Sequence, residues 1–222
     1  MVRKIYRTVT LGLAAYFWWI GVGVDYVSSS EAEWGGGLIY LTNWVLTLNL
    51  LVHTRAFLSE IFRQVFTINF LVGATMVMNI VVLVLWWGLQ LVDPTLLAAD
   101  TEGWSTFYWI WEIYIHGGMA VLLFIEGVVF NKSFSSKIRP YAVIVGLFLA
   151  YIVWIELAVS RYNILPCGSV NCGFPYPFLN DLDITQRIIF YLGIWILGTV
   201  SFLLCAVGVS FKEKLFGIPR SG

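Results

Sequence analysis

The chain has 222 residues, of which 59 % are hydrophobic, 17 % aromatic and 12 % charged, and thirteen basic residues balance thirteen acidic ones. So few charges cannot cover the outside of a water-soluble fold, which excludes a soluble globular enzyme and a disordered chain. Zero net charge leaves no basic patch to hold phosphates, which excludes a nucleic-acid binder. With a mean hydropathy of +0.83, what remains is an all-α polytopic membrane protein.

Six apolar stretches are predicted as transmembrane helices, over approximately 8–24, 37–54, 64–92, 105–130, 141–160 and 187–211. A spanning helix needs about 20 apolar residues. Runs of this length satisfy their own backbone hydrogen bonds in a bilayer only as helices. The short alternating segments of a membrane barrel are absent. No repeat or linker divides the chain, so residues 1–222 read as a single transmembrane domain.

The charges between the stretches orient them. Arg3, Lys4 and Arg7 precede the first, and Asp25, Glu31 and Glu33 follow it. Arg55 and Arg63 flank the second turn, and Asp93, Asp100 and Glu102 the third. Lys132, Lys137 and Arg139 fall in the fourth loop, and Lys212, Lys214 and Arg220 in the tail. Only Arg161 and Arg187 lie on the other side, so the positive-inside rule predicts both termini in the cytoplasm. The same topology puts the sequon Asn131-Lys132-Ser133 in the cytosol, unmodified. It puts Cys167 and Cys172 in an outer loop, where an oxidising compartment favours a disulfide. Cys205 reads as core packing in the last stretch.

Polar groups within such stretches face the bundle interior. The second holds Thr42, Asn43, Thr47, Asn49 and His53, and helical spacing puts Thr42, Asn49 and His53 near one face. His53, beside Arg55, reads as a solvated helix end. The third holds Asn69, Thr75 and Asn79; the fourth Glu112, His116 and Glu126; the fifth Glu156. Glu112 and His116 are four apart and neighbours on the helix surface. A mid-membrane imidazole needs a partner, whereas a buried threonine can bond the carbonyl one turn back. Two His and two loop Cys lack zinc-ligand spacing. There is no Gly-x-Ser-x-Gly elbow and no phosphate loop, so no cofactor or metal is expected.

Several short motifs occur in order: Gly36-Gly-Leu-Ile-Tyr-Leu-Thr-Asn-Trp44, Tyr114-Ile-His-Gly-Gly-Met119, Tyr176-Pro-Phe-Leu179 and Arg187-Ile-Ile-Phe190. As a set they resemble the androgen-induced, or FAR-17a-like, membrane protein family, which includes the androgen-dependent regulator of tissue factor pathway inhibitor. The resemblance covers the chain from the second stretch onward. It implies a multi-pass membrane hydrolase of fatty acid esters of hydroxy fatty acids, in the endoplasmic reticulum or plasma membrane, with a threonine nucleophile and a histidine. The matching positions are Thr42 and His116. The substrate would be a lipid ester drawn from the bilayer, with membrane lipids as surroundings and no protein partner specified. The Thr-Asn-Trp continuation is also similar to the rolling stone group, associated with non-catalytic membrane and cell-fusion roles, and Ile115 stands where vertebrate members tend to have Asn.

The chemistry is coherent. A threonine hydroxyl needs an adjacent base to attack an ester, and a neutral imidazole suits that task. Glu112 could orient His116 as a third member, and Asn43 and Asn49 are secondary candidates for stabilising an oxyanion. Two other classes stand beside the hydrolase: a non-catalytic membrane organiser, and a carrier using Glu112, Glu126 and Glu156. Alkylation of the denatured, unreduced protein should label one cysteine of the three; labelling of all three would overturn the Cys167–Cys172 pairing.

Overall fold

A computed structural model of the chain describes residues 1–24, 35–62, 69–97, 104–130, 134, 138–163, 166–167, 170–171 and 173–215. The sequon and the Cys167–Cys172 pairing lie outside these described residues. Helix α1 spans Val2–Trp18 and continues as a π-helical turn, Trp19–Val24. A 3-10 turn, Gly36–Ile39, leads into α2, Leu41–Phe62. Helix α3, Asn69–Val92, ends at a 3-10 turn, Pro94–Leu97, where proline offers no amide to extend the ladder. Ser105 caps α4, Thr106–Phe130, by accepting the Tyr108 amide N–H at 3.2 Å. Helix α5 is Ile138–Tyr162, with Pro140 in its first turn, where a missing N–H breaks no bond. A two-residue antiparallel pair joins Pro166–Cys167 to Val170–Asn171. A short α6, Pro177–Asp181, precedes α7, Ile184–Leu215. Asp183 and Gln186 close a reciprocal capping box on α7, each carboxyl or amide oxygen taking the other's backbone N–H (2.8 and 2.9 Å).

Among the described residues, five helices are long and apolar enough to cross a membrane: α2, α3, α4, α5 and α7. Helix α1, with Arg3, Lys4 and Arg7 in its first two turns, is not among them. Their outward faces carry large apolar residues such as Phe124, Leu149, Leu157, Ile196 and Leu204, all more than half exposed. Water would not tolerate so large an apolar surface, and lipid would. The molecule is an integral multi-pass membrane protein.

Helix α3 is the central post, packed against α2, α4, α5 and α7. It is buried from Val72 to Asn79 without a break. Between α2 and α3 the side-chain amides of Asn49 and Asn79 bond reciprocally at 3.0 and 3.2 Å. Each also donates to a carbonyl one turn back in its own helix. Helix α1 lies along α2 and is tied to the bundle by charge. Arg7 pairs with Glu126 of α4 at 2.6 Å and with Glu60 of α2 at 2.7 Å. Arg3 also bridges to Glu60.

The position of His53 corrects the sequence reading. It is 2 % exposed, not a solvated end residue. Helix α2 runs nine residues beyond it, to Phe62, so the apparent helix end at Arg55 is helix interior.

Arg7 and Glu126 are 5 % and 0 % exposed. Removing one partner of such a pair strands the other charge, at about 3–5 kcal/mol, whereas replacing both by apolar groups is nearly neutral. Thermal unfolding in detergent should therefore show Arg7→Met strongly destabilised and Arg7→Met/Glu126→Leu much less so.

Candidate active site

The site is built around a turn that leads into a helix. Gly35 has φ +99° and Gly36 φ +50°, a left-handed backbone that side chains with a Cβ resist. Of the next three carbonyls only that of Gly37 takes a backbone N–H, from Tyr40 at 3.3 Å, and a low-dielectric interior makes unmet carbonyls costly. Side chains take all three. Asn43 Nδ2 donates to Gly37 O at 2.7 Å. The indoles of Trp44 and Trp154 donate to Leu38 O at 2.7 and 3.2 Å. The Tyr151 hydroxyl donates to Ile39 O at 2.9 Å. The Leu41 amide N–H, which opens α2, donates to the Tyr176 hydroxyl at 3.2 Å. Thr42 thus stands on the first turn of α2 with the turn behind it held by α2, α5 and the segment before α6.

The second half of the site comes from α4. Residues Tyr114–Gly118 form a π-helical turn with His116 at its centre. Such turns widen the helix and recur at functional positions. The His116 carbonyl takes the Trp87 indole N–H at 3.1 Å. The imidazole stacks on Trp86 with centroids 3.8 Å apart and planes 2° from parallel. Indole and hydrogen bond together fix the ring.

The two halves meet. Thr42 Oγ1 lies 3.3 Å from His116 Nε2. On the far side of the ring, His116 Nδ1 lies 2.8 Å from Glu112 Oε2, a contact at ion-pair distance that is not aligned as a hydrogen bond. A carboxylate beside Nδ1 favours the tautomer with its proton there, leaving the Nε2 lone pair to accept from Thr42. All three side chains are buried, at 9 %, 4 % and 4 % exposure for Thr42, His116 and Glu112.

Thr42 forms part of the wall of a pocket of about 580 Å³, its open mouth included. Helices α3, α5 and α7 supply most of the wall, for example Val82, Phe148 and Ile194. Tyr176, Phe178 and Leu179 close it from the segment around α6. That segment is held by Asn180, whose side chain bonds the Phe174 N–H (2.9 Å) and O (3.2 Å). It is also held by Arg187, which bonds Leu182 O at 2.7 Å and Glu156 at 2.9 Å.

The two secondary candidates are committed elsewhere. Asn43 Nδ2 is shared between Gly37 O and Gly21 O, the latter at 3.0 Å. A Cβ at Gly21 would come within 2.6 Å of Trp111, so glycine permits that approach. Asn49 is occupied by Asn79 and Val45. Glu126 faces Arg7 and Glu156 faces Arg187 and Tyr191, so neither enters the pocket chemistry. Sequence reasoning did not find Trp86, Trp87, Tyr151 or Tyr176. Their signal was aromatic residues within or beside apolar runs, which pattern alone does not separate from ordinary core. Among the described residues no cluster of His, Cys, Asp and Glu could hold a metal ion.

The chain matches the model of the FAR-17a/AIG1-like protein family over residues 3–208. It belongs to that family. No curated protein and no solved structure matches it.

The geometry makes Asn43 a clamp. Asn43→Ala removes the side-chain bonds to the carbonyls of Gly37 and Gly21, at about 0.5–1.5 kcal/mol each, with Gly37 O keeping the Tyr40 N–H. It should lower the melting temperature clearly; an unchanged melting temperature with lost activity would mark it instead as a catalytic donor.

Proposed function

We propose that this FAR-17a/AIG1-like chain is an intramembrane hydrolase of lipid esters, with Thr42 as nucleophile and His116 as general base and acid. The family is associated with hydrolase-like activity. The observation that carries the reading is the 3.3 Å contact of Thr42 Oγ1 with His116 Nε2 at the wall of an apolar pocket. A threonine that merely satisfied itself would bond a carbonyl one turn back, as Thr47 does with Asn43 O at 2.8 Å. Thr42 instead meets the imidazole.

The steps follow from the positions. The Thr42 oxygen attacks the ester carbonyl carbon as its proton passes to His116 Nε2. The tetrahedral intermediate collapses, and the same proton goes to the departing alcohol oxygen. Water then enters, gives a proton to Nε2 as its oxygen attacks the acyl carbon, and the acyl–threonine bond breaks as that proton returns to the Thr42 oxygen. Glu112 beside Nδ1 favours the imidazolium that forms in each step. The β-branched threonine has few rotamers, so little freedom is lost on attack.

A pocket with so few polar groups suits long acyl chains. The substrate class we propose is a fatty acid ester of a hydroxy fatty acid, reaching the site by lateral diffusion. With α1 and its π turn, Val2–Val24 measures about 34 Å, enough to cross a core of about 30 Å. Our reading is therefore six spans with both termini cytoplasmic, in the endoplasmic reticulum or plasma membrane.

The test uses purified full-length protein and a fluorophosphonate probe, with the labelled peptide mapped by mass spectrometry. Thr42 should be labelled, and labelling should vanish in His116→Ala. Hydrolysis of a long-chain ester should fall about 10⁴-fold in Thr42→Ala and His116→Ala with melting temperatures retained. Wild-type protein that is folded, unlabelled and inactive would favour the non-catalytic membrane role. Glu112→Gln should lower kcat more mildly, by about 10–100-fold, as loss of an orienting group does.

A further inference from the structure

An ester hydrolase must stabilise the negative charge that develops on the carbonyl oxygen, and this is its largest single electrostatic task. In an apolar pocket the task falls to a few groups. Three tyrosine hydroxyls are on the pocket wall, those of Tyr151, Tyr176 and Tyr191. Tyr151 gives its proton to Ile39 O at 2.9 Å. Tyr191 gives its proton to Glu156 Oε1 at 2.8 Å. Tyr176 differs. Its oxygen accepts from the Leu41 N–H at 3.2 Å, one residue before the nucleophile, and the hydroxyls of Thr42 and Tyr151 stand beside it.

We propose that the Tyr176 hydroxyl is the oxyanion donor of the site, a catalytic residue that hydrogen-bonds the carbonyl oxygen as Thr42 attacks. The inference rests on the hydrolase reading. A hydroxyl is a weak acceptor compared with an oxyanion, so the Tyr176 proton turns readily from its resting partners to the developing charge. The Leu41 N–H polarises the phenol from behind, and hydrogen bonds in series strengthen one another. Leu41 also opens α2, whose N-terminus carries partial positive charge. Burial pushes the phenol above its ordinary pKa, so it keeps its proton at physiological pH. In the step itself the Thr42 oxygen–carbon bond forms and the carbonyl π pair moves to oxygen. Tyr176 donates a hydrogen bond to that oxygen without transferring its proton, and the pair returns when the alcohol leaves.

The inference also explains how the Tyr176-Pro177-Phe178-Leu179 segment is held. Asn180 and Arg187 tie the backbone on both sides of Tyr176, and Pro177 opens α6 with its fixed φ. A preorganised donor needs such a frame, because it must not reorganise during reaction.

The test compares wild type and Tyr176→Phe as full-length protein in detergent, on a long-chain ester and on two analogues of the same chain. One analogue is a trifluoromethyl ketone, which forms a tetrahedral adduct with the nucleophile; the other is an unreactive ether. Loss of one oxyanion donor costs about 10²–10³-fold in kcat. We expect that loss with KM unchanged, a matching weakening of the trifluoromethyl ketone and unchanged ether binding. An unaltered kcat would overturn the role of Tyr176. So would parallel losses in KM and ether binding, which would mean that the phenol only shapes the pocket. If Tyr176→Phe does not fold, 3-fluorotyrosine at position 176 keeps the packing and strengthens the donor. It should then change kcat and ketone affinity together, and no change in either overturns the inference. An active wild type with an unaffected variant removes only Tyr176, whereas a folded but inactive wild type removes the hydrolase reading and this inference with it.

Discussion

The arrangement depends on how the Gly35–Tyr40 turn satisfies its backbone. A short 3-10 turn among apolar helices satisfies only some of its carbonyls by its own backbone, and a low-dielectric interior makes each unmet group costly. Here four side chains, from Asn43, Trp44, Tyr151 and Trp154, reach the carbonyls of three consecutive residues. They come from two helices, so the turn cannot move without separating α2 from α5. Thr42 inherits that rigidity. The Thr42 hydroxyl is placed by hydrogen bonds that end on backbone as well as by its own contact with His116.

The remaining polar groups obey the same rule in a different currency. Glu60, Glu112, Glu126, Glu156 and Arg187 on the spanning helices each have a charged or imidazole partner, and most of these pairings fasten helices together. Arg7 joins α1 to α2 and α4, Asn49 and Asn79 join α2 to α3, and Glu156 with Arg187 joins α5 to α7. Helix association in lipid lacks a strong hydrophobic drive, so close packing and such bonds carry it. His116 stands apart because its contact leads to a hydroxyl at a pocket. The other pairs close on themselves.

The helical spans were legible because hydropathy over twenty residues is a strong signal, and their cores match the helices within a few residues at most ends. The clearest miss was at α2. A cluster of His, Thr and Arg looked like an interface, but Arg7 from α1 and the packing of Ala56 keep that stretch helical and enclosed. The family resemblance pointed to Thr42 and His116, and the four-residue step pointed to Glu112 beside His116; the structure brings the three side chains together. Asn43 and Asn49 looked like free amides because a sequence does not say which carbonyls are stranded nearby. The turn at Gly35 and Gly36 creates those acceptors, and only the folded backbone reveals them. Trp86 was hidden for another reason: in an apolar helix an indole that stacks on a buried imidazole has the same one-letter context as one that faces lipid.

The π turns have a consequence for how the site could be gained or lost. Among the described residues, three of the four π turns hold an ionisable residue of a spanning helix: His116 in Tyr114–Gly118, Glu126 in Glu126–Phe130 and Glu156 in Ile155–Val159. A π turn holds one more residue than the α turn it replaces. Deleting a single residue from Tyr114–Gly118 would restore a plain helix whose two halves keep their facings, because the turn absorbs its extra residue. Glu126 would still meet Arg7, and the local placement of His116 would change. Composition and hydropathy would hardly register the change. In this architecture, insertion and deletion of single residues are a finer lever on function than substitution, and gaps in an alignment of such chains carry chemical meaning.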